Sequence, residues 1–69
     1  MQLRLAILKS IVEHGKRYYR ESFTKDTNFF SFHQYNAQHA KRAIDIMCKQ
    51  YFISEPLKAR LLAYAWDRA

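Results

Sequence analysis

The sequence predicts an all-α fold of three helices, about residues 3–23, 32–52 and 55–68, and three observations carry that expectation. Apolar side chains recur at three- and four-residue intervals and nowhere alternate as those of a half-buried strand would. One glycine and one proline in the whole chain leave few places for the backbone to turn. Two short segments, residues 24–30 and 53–54, separate the periodic stretches.

In the first stretch Leu5, Leu8, Ile11, Val12, Tyr18 and Tyr19 fall on one broad helical face. Gly15 lies inside that face. A glycine in a helix interior costs about 1 kcal/mol relative to alanine, so its presence predicts a close helix approach or a slight bend. Glu13 stands four residues from both Lys9 and Arg17, where each pairing would add a few tenths of a kcal/mol. Arg4 intrudes on the apolar side but is near enough to the helix end to snorkel to water.

The loop is read at Thr24, Asp26, Thr27 and Asn28, whose side chains compete with helix by bonding their own backbone. Ser31-Phe32-His33-Gln34 then fits a capping box, with Phe30 and Tyr35 as its hydrophobic staple. The second helix is expected to run to Phe52 and to bury Ala40, Ala43, Ile44, Met47 and Tyr51, with Ala37, Ala40 and Ala43 admitting a close neighbour. Ser54 before Glu55 and Pro56 predicts an N-cap with proline in the first turn. Beyond it Leu57, Leu61, Leu62, Tyr64, Ala65 and Trp66 cover most of the third helix, leaving a narrow polar side near Arg60 and Asp67. Such a helix needs cover on two sides. Helices one and two are expected to supply one, and a homodimer seam through the C-terminal helix the other.

Sixty-nine residues bound the chain to a single domain, 1–69, that buries only about 60% of its unfolded surface. An apolar share of 49% nevertheless argues that it folds. Cys48 is the only cysteine, so no intramolecular disulfide is possible, a reducing compartment is the simplest reading, and the thiol is read as a small buried hydrophobe. No run approaches the roughly 20 apolar residues of a membrane span, and the expected location is cytoplasmic.

Chemistry has little support in the sequence. His14, His33, His39 and Cys48 form no i,i+4 histidine pair and no C-x-x-C, so neither metal nor cofactor is expected. His33 is read instead as a partly buried residue hydrogen-bonded with Asn36. The six carboxylates are scattered, and no serine or cysteine lies in a G-x-S-x-G turn, which argues against an enzyme.

Charge is more informative. Twelve Lys and Arg against six Asp and Glu give +6 and an isoelectric point near 9.8, a long-range attraction to any polyanion. At 3.6 residues per turn Lys9, Lys16 and Arg20 fall within roughly 40° of one another, with Arg17 about 60° further round. Lys41, Arg42 and Lys49 extend the basic surface onto the second helix. The leading expectation is therefore a small non-enzymatic regulatory protein that binds DNA or RNA mainly through phosphates, with steep salt dependence. A helix-turn-helix fits poorly, because the third helix spends Leu61, Leu62 and Trp66 on packing rather than on base edges. Tyr18 and Tyr19 flank the basic strip, but they lie within the apolar arc and read as core residues rather than stacking platforms.

The alternative expectation is a protein-interaction module, an inhibitor or adaptor that occludes an acidic protein. Tyr35, His39 and Ile46, alternating with Arg42 and Lys49 on one stripe of helix two, have the composition favoured at interfaces; Leu61, Tyr64 and Trp66 would extend that surface on helix three.

Overall fold

Helical spacing is realised as three helices in the computed structural model, which describes residues 3–25 and 28–69: α1 (Leu3–Ser22), α2 (Phe30–Gln50) and α3 (Glu55–Arg68). No strand occurs among the described residues. Of the expected loop residues, Thr24 and Asn28 lie between α1 and α2, while Asp26 and Thr27 fall outside the described residues.

The second helix is displaced two residues towards the N-terminus relative to the 32–52 expected from the sequence. Ser31 consequently sits inside the helix and not at its cap. The N-cap position is Phe29, which makes no side-chain capping bond, so the Ser31/Gln34 box is not formed. Phe30 and Tyr35 are both exposed and form no buried staple. At the other end Phe52 adopts φ 57°, the left-handed conformation that closes a Schellman-type end, and the Ile53 amide donates 2.8 Å back to the Cys48 carbonyl. Ile53 is thereby folded onto the core beside Cys48. Helix α3 starts as expected: the Leu57 amide donates 3.3 Å to Ser54 Oγ, and Pro56 occupies the first turn.

Helix α1 is the spine. Both α2 and α3 pack along it, and Leu57, Leu61 and Leu62 of α3 pack against a cluster that joins Ile11 of α1 to Ile44 and Cys48 of α2, with the closer backbone approach of α3 made to α1. The reason is visible at Gly15. A Cβ there would lie 2.9 Å from Ala65 Cβ and 3.2 Å from Leu62 Cδ2, so the missing side chain sets how closely α3 approaches α1. The pairings Ser10 with Met47 and Glu21 with His33 run α2 antiparallel to α1; Gly15 against Leu62 and Ala65, followed by Tyr19 against Trp66, makes α3 parallel to it.

The core is thin. Ile11, Ile44, Cys48 and Ile53 are buried together, with Ile7, Leu8, Met47, Leu57, Leu61 and Leu62 packed around them. Beyond this cluster Tyr18 and Tyr19 meet edge-on, and Trp66 closes edge-on over Tyr19 and Phe23 at ring separations of 5.0 and 5.2 Å. Asp45 on α2 and Lys58 on α3 are joined at 2.9 Å, and that hydrogen bond holds the Lys58 ammonium above its ordinary pKa.

Candidate functional site

Most of the cations that the sequence groups together lie on exposed ground, but several have partners at home. Lys9 and Arg20 are exposed on α1, as are Lys41, Arg42 and Lys49 on α2. Lys16 is half-buried and paired with Glu13 at 3.2 Å. Arg17 Nη2 donates to His14 Nδ1 at 2.7 Å. Glu13 therefore pairs with Lys16, one turn away, and not with the Lys9 and Arg17 expected from four-residue spacing. On α3 the Arg68 guanidinium lies 3.6 Å above the Tyr64 ring.

Parallel packing of α3 on α1 brings a second set of cations to the first. Lys9 and Lys16 from α1 and Arg60 and Arg68 from α3 line one groove, whose remaining walls are Leu5, Leu8, Val12, Leu61 and Tyr64, with Glu13 its only acid. Leu5 is 50% exposed and Tyr64 48%, large apolar surface left uncovered between charges. The sequence groups Lys9, Lys16 and Arg20 on α1, with Arg17 further round, but only the parallel docking of α3 joins Lys9 and Lys16 to Arg60 and Arg68. Arg17 and Arg20 do not line this groove.

The second surface is the outer stripe of α2. Tyr35 stacks on His39 at 6.0 Å between ring centres, and Arg42 lies along the same shallow depression with Gln38, Lys41 and Asp45. The possibility that α3 covers this stripe is ruled out by the packing on α1: Ile46 stays 55% exposed and Tyr35 67%. Of the other expected interface residues, Leu61 is half-buried against the core and Trp66 is half-exposed at its cluster with Tyr19 and Phe23.

The histidines have separate roles in the packing. His33 Nδ1 contacts a Glu21 oxygen, and Asn36 Nδ2 donates 3.3 Å to the other, so His33 and Asn36 are joined through Glu21 rather than to each other. This bridge fastens the C-terminal end of α1 to the first turns of α2. His14 is pushed below its ordinary pKa by burial first, then by the Arg17 guanidinium and His39. Burial also raises the pKa of Cys48, which keeps its thiol protonated and weakly nucleophilic. Among the described residues no three His, Cys, Asp or Glu side chains gather as metal ligands would, and no helix is long and apolar enough to cross a membrane. No known family, curated protein or solved structure matches the chain.

Proposed function

We propose that this chain is a non-enzymatic protein-binding module, an inhibitor or adaptor that acts by occluding an acidic partner. One observation carries the reading: the cations stand beside large uncovered apolar side chains, Leu5 and Tyr64 in the α1/α3 groove and Tyr35 and Ile46 on α2. Phosphate backbones offer such side chains nothing to bury, whereas a protein surface does. The ion pairs of Lys16 with Glu13 and of Lys58 with Asp45 further reduce the charge these two residues offer to a polyanion. Capture from a nuclease-treated extract of the source cell tests the reading. A protein held through moderate salt is the expected result, and loss of all bound material after nuclease treatment would refute it.

Nucleic-acid binding is the second reading, favoured by the net charge of +6 and by the exposure of Lys9, Arg20, Lys41, Arg42 and Lys49. Contacts would be to phosphates. Fluorescence anisotropy with duplex DNA, single-stranded DNA and RNA over a salt series is its test, and a steep salt slope is its signature. A homodimer through α3 remains part of the proposal, with its seam at the Phe23 and Trp66 edge. A seam over Tyr64 would set Arg60 and Arg68 of one copy against the same cations of the other.

A further inference from the structure

Resting on the protein-binding reading, we infer that the α1/α3 groove receives an acidic amphipathic helix of the partner. The two walls are themselves parallel helices, and their cations repeat at about two turns: Lys9 and Lys16 on the α1 rim, Arg60 and Arg68 on the α3 rim. Between the rims runs an apolar floor of Leu5, Leu8, Val12 and Leu61, with the Tyr64 ring beside it under the Arg68 guanidinium. A helix with one apolar stripe and carboxylates on both flanks matches this arrangement side for side, as the flanking charges of a coiled coil match those of its partner. From Leu5 to Lys16 the groove extends about 17 Å at 1.5 Å per residue, room for roughly three turns of the incoming helix.

Charge decides between occupants. Four cations against Glu13 alone give the groove a surplus that a second copy of this +6 chain would repel and an acidic helix would neutralise. A nucleic-acid strand would satisfy the rims but leave the aliphatic floor without a counterpart. Glu13 is the discordant group. It is paired with Lys16 and 66% exposed on its side chain, so an incoming carboxylate competes with it for the same ammonium.

The probe is a fluorescein-labelled synthetic peptide of about 14 residues, with leucines on one helical face and glutamates on both flanks. A scrambled peptide of identical composition and a single-stranded DNA oligonucleotide are its comparators. The amphipathic peptide is expected to bind at least tenfold more tightly than the scrambled one. Lys9→Glu with Arg60→Glu should weaken it at least tenfold, Leu5→Ser should weaken it severalfold, and Glu13→Gln should strengthen it severalfold. These side chains lie at the surface or on its margin, and unchanged circular dichroism verifies the fold of each variant.

Equal binding of both peptides would overturn the inference, since charge alone would explain it. So would binding indifferent to Leu5→Ser, displacement by DNA from all variants alike, or no binding at 100 µM peptide. Capture from the nuclease-treated extract is repeated with the Lys9→Glu, Arg60→Glu protein. A partner still captured there discards the groove and retains the protein-binding reading; no nuclease-resistant partner for the unaltered chain discards that reading itself.

Discussion

Phe52 combines two properties that seldom occur together: a left-handed backbone, φ 57°, and a side chain that is 91% exposed. The conformation costs an L-residue about 1–2 kcal/mol, and the exposed ring recovers little of it by packing. Phe52→Gly should therefore raise stability by about 1 kcal/mol, a gain partly offset by the greater freedom of glycine in the unfolded chain. Urea denaturation checks this, and an unchanged or lower midpoint would mean that the ring has packing the geometry does not disclose. His14 supplies a pH response. Its pKa lies below the ordinary 6.5 in the folded protein, so the unfolded chain takes up the proton first as pH falls. The associated stability is present above 6.5 and is lost as pH falls from there through the lowered value. Comparing urea midpoints at pH 7.5 and 5.5, His14→Gln should lose less stability on acidification than the unaltered protein. The His33–Glu21 bridge is common to both proteins, so the difference between them reports His14.

At the scale of the helices, Gly15 decides how α1 and α3 meet. Alanine there would gain about 1 kcal/mol of helix propensity but would bring two Cβ atoms to 2.9 Å, and Ala65 cannot rotate its methyl away. Overpacking of this kind costs about 1–3 kcal/mol, so Gly15→Ala should destabilise by up to about 2 kcal/mol. Ala65→Gly in the same protein should recover part of that loss, and thermal unfolding of the two single variants and the double variant measures the coupling. The close approach was legible in the sequence because a glycine in the middle of an apolar helical face has few other uses. Ser54 was legible for a comparable reason: hydroxyl, acid and proline in succession fit one local geometry, and the Leu57 bond realises it. The ends of α2 were not. Ser31-x-x-Gln34 has capping-box spacing, but the first turn forms around Phe30 without a side-chain cap, and Phe52 takes a conformation that its residue type argues against. Local pattern and helix end disagree at both places, and residue type alone could not show which prevails.

Across the whole molecule the candidate site was half legible. Helical spacing alone placed Lys9 and Lys16 on one flank of α1, but joining Arg60 and Arg68 to them depends on α3 docking parallel to α1, a tertiary choice without a local signature. The same architecture leaves the fold thinly supported. Among the described residues Ile11 is the largest side chain that is fully buried, while twelve large apolar residues stay exposed along a body of 41 × 23 × 22 Å. A molecule of this kind should gain much of its stability from what docks on it, because a ligand that binds only the folded state adds RT ln(1 + [L]/Kd). At one hundred times Kd the acidic amphipathic peptide would contribute about 2.7 kcal/mol. In a domain of this size each kcal/mol moves the midpoint by about 4–8 °C, so Tm should rise by roughly 10–20 °C. Differential scanning fluorimetry over a peptide titration measures the rise, which should continue logarithmically above saturation. At tenfold weaker affinity the scrambled peptide should contribute no more than about 1.4 kcal/mol and raise Tm at most about half as far, and so should the amphipathic one when added to the Lys9→Glu, Arg60→Glu protein. A flat response of the unaltered protein to the amphipathic peptide would mean that its folding is independent of any helix in the groove.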